Sequence, residues 1–352
     1  MILEMIDFDT KMMNRCIQLA YNGLGSTYPN PMVGCVIVHQ DKIIGEGWHR
    51  RAGEPHAEVN AIRSVKDKSL LPKGTLYVSL EPCSHFGKTP PCSDLIIKYK
   101  IPKIVIGTTD PFAKVSGTGI AKLKEAGCEV IVGVLEKECQ ELNKRFFTFH
   151  QKKRPYIFLK WAETRDGFMA PETKDKLDPK WITNFYSRQY VHKIRSEEQA
   201  ILVGTNTILH DNPKLNVRDW FGGNLLRVVI DKDLKIPRNF LVWNDEQSTL
   251  FISEKVNNES FKNTSFHKID FSANLPQQIC NVLFEKNIQS LIVEGGRSVL
   301  QQFIEANLWD EAFVFVGNIC FEKGLKSPDF QKKTLKEVRE FDEDTLFIYS
   351  NL

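Results

Sequence analysis

His56 and Glu58 stand two residues apart in PHAEVNAIRSV, and Cys83 and Cys92 bracket the loop CSHFGKTPPC. Neither pair says much alone. A histidine near a glutamate on a helix is most often a polar face, and a loop rich in Pro, Ser, Gly and Thr can hold two idle thiols. The thiols admit four readings: metal clip, redox pair, disulfide or plain loop. A disulfide is disfavoured in a reducing compartment. A redox pair is disfavoured by spacing, because close Cys-x-x-Cys is the usual redox form. Taken together, one imidazole and two thiolates make the three-ligand set that zinc accepts in catalytic sites, with a fourth position left open to water. A carboxylate beside the histidine is the base that such a water needs. A structural zinc site would instead want a fourth protein ligand, and His85, in Cys-Ser-His, is placed to supply one.

These groups need elements to position them. PHAEVNAIRSV opens on Pro55 and reads as a helix, and GTLYVSLEP as an apolar strand running into Cys83. Both would end at one rim of a sheet, where open α/β sheets bind ligands. Residues 8–24 carry helical spacing, and VGCVIVHQDKIIGEGWH reads as a hairpin around Gln40 and Asp41. SDLIIKYK is a short helix, KIVIGTTD a strand, GTGIAKLKEAG a helix and CEVIVGV a strand. Strands alternating with helices imply an α/β layer with much of the sheet parallel. KECQELNKRFFTFH reads as one helix leading out of the unit, and the basic QKKRP at 151–155 as a linker. A second α/β set follows, with strands YIFLKWAE, AILVG, LRVVID, STLFIS, SLIVEGG, EAFVFVG and TLFIYS and helices near 184–196 and 297–307. The chain of 352 residues thus divides at 1–150 and 151–352.

Composition narrows the partners. A net charge of +3 makes no case for a nucleic-acid groove or a membrane surface. No segment approaches the roughly 20 apolar residues of a membrane span. MILEMIDFDTKMMNRC lacks the basic start and apolar run of a secretory signal, so a cytoplasmic protein acting on a small molecule is expected. Of the eight cysteines, most sit in apolar settings and read as buried thiols.

A second site is suggested by VEGGRSVLQQF, a strand, two glycines and a helix. That geometry can bring a pyrophosphate onto backbone N–H groups. No full dinucleotide fingerprint accompanies it. Gly117-Thr118-Gly119 raises the same thought, but reads mainly as a turn into a helix, and Lys88 reads as a solvated loop lysine.

The combination His-x-Glu, Pro-Cys and a second Cys resembles the zinc cytidine-deaminase superfamily. The handling of zinc and Glu in that class is known in general terms. The eight residues SHFGKTPP between the cysteines, with Asn30, Pro31, Val33 and Gly34, resemble the deaminase half of bifunctional riboflavin-biosynthesis proteins. LKWAETRDG, WIT, AILVGTNTILHDNPKLNVR and VEGG resemble their reductase half, so the resemblance covers nearly the whole chain. It implies a cytidine-deaminase-like three-layer α/β domain followed by a dihydrofolate-reductase-like α/β domain. It implies zinc on His56, Cys83 and Cys92, with Glu58 as proton carrier, and Asn30, His85 and Asp110 as deaminase substrate contacts. In the second domain it implies Lys160, Arg195, Leu215, Arg218 and Glu294 near the substrate. It places NADPH at Ala162, Trp181, Thr207, Asp211, Gly296, Arg297, Ser298, Val299, Leu300, Gln301 and Gln302. The reaction so implied deaminates a phosphoribosylaminopyrimidine and then reduces its ribosyl group to ribityl, in a homodimer or homotetramer. A nucleoside or RNA-base deaminase with a non-catalytic second domain is the alternative. Four residues depart from the family pattern: Phe112, Arg165, Pro179 and Lys232. They put contact detail in question rather than the family.

The residue types suit these roles. An amide, an imidazole and a carboxylate match a ring rich in donors and acceptors. Arginine forks match phosphate oxygens. Arg195 and Arg218 could equally be surface salt bridges, and Trp181 core packing.

Overall fold

The computed structural model describes residues 7–84, 90–112, 116–172, 181–256, 259–331 and 334–351. The chain divides into two units, Met1–Lys152 and Lys153–Leu352.

In the first unit the order is α1 (Phe8–Tyr21), β1 (Gly34–His39), β2 (Lys42–Trp48), α2 (Ala57–Ser64), β3 (Thr75–Leu80), α3 (Cys92–Lys98), β4 (Lys103–Thr108), α4 (Thr118–Glu125), β5 (Glu129–Val132), α5 (Glu136–Leu142) and α6 (Lys144–Lys152). Gln40 and Asp41 both take positive φ, 48° and 57°, the backbone of a tight hairpin turn. The expected β1–β2 hairpin therefore forms where the sequence placed it. Among the described residues the sheet order is β2-β1-β3-β4-β5. β1 pairs antiparallel with both its neighbours, and β3, β4 and β5 run parallel.

Both sheet faces are covered, because successive strand side chains point to opposite sides. Cys35, Ile37 and Val78 pack with Ala61, Ile62, Ile96 and Leu123 from α2, α3 and α4. Val36, Val38 and Tyr77 pack on the other face with Met12, Met13 and Cys16 of α1 and Cys139 of α5. The result is three layers.

The single helix expected over KECQELNKRFFTFH is instead two, broken at Asn143. The cause is the Asn143 side chain. Its Oδ1 accepts from Met32 N and its Nδ2 donates to Met32 O, both at 2.8 Å, so a side chain pairs a backbone that has no strand partner there. The basic linker is also more ordered than its composition suggests. α6 runs through Lys152, and Arg154 is buried with its fork on Asp310, at 2.6 and 2.9 Å.

The second unit comprises β6 (Tyr156–Thr164), β7 (Phe168–Pro171), α7 (Phe185–Glu197), β8 (Ala200–Gly204), α8 (Thr205–Asp211), β9 (Leu226–Ile230), β10 (Thr249–Ser253), β11 (Thr264–Lys268), α9 (Leu275–Glu285), β12 (Ser290–Gly295), α10 (Arg297–Glu305), β13 (Glu311–Gly317), β14 (Gly324–Lys326), β15 (Thr334–Phe341) and β16 (Asp344–Ser350). Its main sheet runs β11-β10-β9-β8-β12-β6-β13-β16-β15 among the described residues. The strands from β11 to β13 are parallel, and β16 and β15 are antiparallel additions at one edge. Leu159, Leu202 and Val293 pack against Leu283 of α9 and Leu300 and Phe303 of α10. Phe158, Ile201 and Val203 face Ile194 of α7 and Ile208 of α8. The central strands are buried on both faces, which is why they read as unbroken apolar runs.

No helix among the described residues is long and apolar enough to cross a membrane.

Candidate functional site

His56 is the residue just before α2, in extended conformation with φ −69° and ψ 168°. Cys83 follows β3 through Glu81-Pro82, and Cys92 is the first residue of α3. Two helix starts and one strand end thus converge. Cys83 Sγ lies 3.6 Å and Cys92 Sγ 3.4 Å from His56 Nδ1, and Cys92 N donates to Cys83 Sγ at 3.3 Å. The three donor atoms all lie within 4.8 Å of one another. Cys83 is held down to about 4, first by its hydrogen bond with Cys92 and then by His56, against the effect of burial. His56 is raised to about 8, chiefly by its bond to Cys83. A depressed thiol beside an imidazole is a metal-ligand environment. The donor chemistry fits zinc. His85 and Lys88 lie outside the described residues.

Glu58 sits in the first turn of α2 and is 3% exposed. Burial raises its carboxyl, and the nearby Cys83 adds to that. A carboxyl so placed can hold a proton beside the ligand set.

Sequence reasoning missed His49. Its Nδ1 contacts Pro55 O at 3.2 Å and its Nε2 contacts Asn30 Nδ2 at 3.1 Å. A carbonyl can only accept, so Nδ1 carries the proton and Nε2 accepts from the Asn30 amide. The His49 ring also meets the His56 ring edge-on at 5.3 Å. His49 therefore holds the Asn30 amide on one side and packs against the His56 ring on the other. A histidine in GWHRR carries no pattern that would have revealed this. Asp110 is 8% exposed and raised to about 6, mainly by burial. The departure at Phe112 has a local role: its N–H donates to Asp110 Oδ1 at 2.8 Å, and its ring packs on His150 at 5.0 Å.

The Gly117-Thr118-Gly119 helix start is already filled. Glu81 is 4% exposed and accepts from the N–H groups of Gly117 and Gly119 at 2.9 Å, Ile120 at 3.2 Å and Asp110 at 3.3 Å. A carboxylate thus occupies the place where a phosphate would bind, in accord with the reading of this stretch as a turn. A Cβ on Gly119 would collide with the Pro82 carbonyl oxygen, so glycine is required for α4 to approach the strand that leads to Cys83.

In the second unit Lys160 of β6 and Glu294 of β12 come from neighbouring strands. Glu294 takes the Arg195 fork at 2.9 and 2.7 Å and lies 3.9 Å from Lys160 Nζ. Arg195 Nη1 donates to Asn216 O at 3.3 Å. Leu215 is buried with φ 53°. Arg218 contacts Asp219 at 3.5 Å with 40% of its side chain exposed. The sequence considered surface ion pairs for both arginines. Arg195 is instead a buried pair, and only Arg218 keeps an accessible guanidinium.

Beside this cluster β12 ends in Gly295-Gly296 and α10 begins. Gly296 precedes the helix and supplies no side-chain cap. A Cβ there would lie 3.3 Å from Thr207 Oγ1, which places Thr207 of α8 against the glycine turn. An uncapped helix start over bare backbone fits a dinucleotide pyrophosphate. Val299 and Leu300 have core side chains and can offer only backbone. Gln301 is clipped to Asp329 through the Asp329 N–H at 2.7 Å, Arg297 Nε donates to Ser327 O at 3.2 Å, and Gln302 Nε2 donates back to Ser298 O at 3.2 Å. Ala162 lies on β6 and Asp211 closes α8. Trp181 is not core packing. It is 52% exposed, with the Arg188 guanidinium 4.4 Å over its ring. Of the family departures, Lys232 pairs with Glu254 at 3.4 Å and Arg165 bonds to Asn318, so both have local partners. Pro179 lies outside the described residues.

A family model described as the RibD C-terminal domain matches residues 155–347, more than half of the chain. The chain belongs to the RibD family. A second model, the cytidine and deoxycytidylate deaminase zinc-binding region, matches residues 6–108. The riboflavin biosynthesis protein RibD of Aquifex aeolicus is 40% identical over 336 residues, covering 94% of this chain and 93% of that relative. The Escherichia coli RibD is 34% identical, covering 94% and 96%. A crystal structure from Thermotoga maritima, titled as a diaminohydroxyphosphoribosylaminopyrimidine deaminase and 5-amino-6-(5-phosphoribosylamino)uracil reductase, superposes with TM-score 0.88 at 38% identity, covering 97% and 98%. This RibD-family chain is thus a riboflavin-biosynthesis enzyme with hydrolase and oxidoreductase units, and zinc and NADPH are its cofactors.

Proposed function

We propose that the two activities are divided between the two units, with deamination of the diaminopyrimidine ribotide at 1–150 and reduction of its ribosyl group at 151–352. The observation that carries this reading is the pairing of a His56–Cys83–Cys92 set and a buried Glu58 in one unit with a Lys160–Arg195–Glu294 cluster beside an open helix start in the other. A lone deaminase with an inert second domain leaves that cluster without a purpose.

In the first unit His56, Cys83 and Cys92 would hold zinc, which would supply Lewis acidity toward water. Glu58 takes a proton at its carboxylate from the attacking water and returns one to the departing ammonia. Asn30, oriented by His49, and Asp110 bind and orient the ring, and His85 is a further ring contact. In the second unit the backbone at the start of α10, with Thr207, Ala162, Trp181 and Asp211, would hold NADPH, which would supply hydride. Arg218 holds the ribose phosphate. Lys160 and Glu294, fixed by Arg195, hold the sugar at the reacting carbon. The protein works in the cytoplasm as a homodimer or homotetramer, which light scattering tests.

The deciding experiment follows ammonia release and NADPH oxidation separately on the diaminopyrimidine ribotide. Glu58→Gln should abolish the first and leave the second intact on pre-deaminated substrate. Wild-type ammonia release by Glu58→Gln would refute the deaminase site. Absence of NADPH oxidation by the unaltered protein on pre-deaminated substrate would refute the reductase assignment.

A further inference from the structure

His192 lies on α7, one helical turn before Arg195, and is 2% exposed. Both ring nitrogens meet one short segment. Arg218 N–H donates to Nδ1 at 3.4 Å, and Nε2 lies 3.3 Å from Asp219 Oδ2. An accepting Nδ1 leaves the proton on Nε2, and Nε2–H can donate to the carboxylate. One neutral tautomer satisfies both contacts. Arg195, on the same helix, donates to Asn216 O. α7 therefore grips residues 216–219 at two points, and the backbone of Arg218 is fixed by the second. The charged groups around the imidazole are Arg195 from its own helix, Arg218 and Asp219 from the segment, and Glu294 from β12. Burial and the two arginines hold it down to about 4, so it is neutral at working pH.

We propose that His192 is a positioning residue of the reductase site, fixing the segment from which Arg218 presents its guanidinium to the substrate phosphate. This rests on the reading of Arg218 as a phosphate contact. A group that acts through Arg218 alters substrate binding and leaves the hydride step alone, so its loss appears in KM rather than kcat. It also depends on Arg218 being present.

The test uses the full-length protein, pre-deaminated ribotide and the same compound without its phosphate. KM and kcat are measured for wild type, His192→Ala, His192→Asn, Arg218→Ala and the His192→Ala/Arg218→Ala double variant, with NADPH Kd by fluorescence in each. Loss of the two contacts that hold the segment predicts a KM about 10-fold higher for His192→Ala on the phosphorylated substrate. kcat should stay within about twofold, and NADPH Kd should not move. On the dephosphorylated compound His192→Ala and wild type should match. His192→Asn keeps an acceptor near the Nδ1 position and should recover most of the loss. On the Arg218→Ala background, adding His192→Ala should raise KM by less than about twofold.

A wild-type KM in His192→Ala, with KM raised in Arg218→Ala, would overturn the proposal and spare the reading of Arg218. So would a full additional loss in the double variant, or a parallel loss of NADPH affinity, which marks general disruption. A wild-type KM in Arg218→Ala would remove the phosphate contact itself, and the proposal with it.

Discussion

Glu294 accepts from Arg195 at two points, Nε at 2.9 Å and Nη2 at 2.7 Å, with about a tenth of either side chain exposed. A buried pair of this kind adds little over an apolar substitute, but removing Arg195 leaves the Glu294 charge with only the longer Lys160 contact at 3.9 Å. Arg195→Ala should therefore destabilise the second unit by about 3–5 kcal/mol. Denaturant melts of full-length protein, with the second-unit transition identified by NADPH protection, would measure this. A loss under about 1 kcal/mol would mean that the pair is not closed in solution.

The same pair sets an acid limit. Burial pushes the Glu294 carboxyl up, but Arg195 and Lys160 outweigh it and hold it at about 2. A carboxyl lowered on folding contributes stability that is complete above its unfolded value, near 4.5. That contribution should fade as pH falls from there toward 2. Melts in this window should show the second unit losing stability with acid. Glu294→Gln, less stable at neutral pH, should show a flatter slope. An unchanged slope would assign the acid sensitivity to other groups.

Zinc removal should separate chemistry from fold in the first unit. The two faces of its sheet are closed by apolar clusters that do not include His56 or Cys83. Chelation should abolish ammonia release, leave NADPH oxidation of pre-deaminated substrate intact and leave most far-UV circular dichroism in place. Collapse of the first unit on chelation would point to a structural ion instead.

Gly296→Ala tests the cofactor cradle. The backbone there has φ −70°, which alanine adopts without strain, and the added carbon meets only Thr207 Oγ1 at 3.3 Å. The substitution should leave the melting temperature within about 2 °C, equivalent to about 0.5–1 kcal/mol for a unit of this size. NADPH Kd should rise about tenfold or more, because the methyl occupies space above bare helix-start amides. Unaltered Kd would place the pyrophosphate elsewhere.

Glu81 satisfies four N–H groups from one buried position. Glu81→Ala leaves three of them without that acceptor at the start of α4, and Asp110 N–H after β4, and should cost about 3 kcal/mol or more in the first unit. Glu81→Gln keeps one acceptor oxygen and should recover part of it. Thermal melts of both variants decide this, and equal stability of Glu81→Ala and wild type would contradict the hydrogen-bond geometry.

The fold was most legible where local chemistry and burial agree. The strands flanking Cys35, Val105, Leu202 and Ile292 are buried on both faces and read as apolar runs, and Gln40-Asp41 marked a hairpin. β15, TLKEVREF, was missed because an edge strand carries the Lys, Glu and Arg that guard such edges, and these look like loop residues in sequence. Asn143 broke a helix for the sake of Met32, more than a hundred positions earlier, and no local pattern reports that. At the sites, His56, Glu58, Cys83 and Cys92 were visible because metal chemistry restricts residue type and spacing. His49 and Glu81 were not, since each acts on neighbours that only the fold supplies.

Among the described residues α4, α8 and α10 begin after glycines, and α4 and α10 differ in how their starts are filled. At α4 the polypeptide brings its own anion, the Glu81 carboxylate. At α10 no side chain caps the start. If NADPH lies at α10 as proposed, the carboxylate at α4 closes the other berth to phosphate. A resident carboxylate fills one start and not the other, and the glycine turns differ as well, Gly117 at φ 77° and Gly296 at φ −70°.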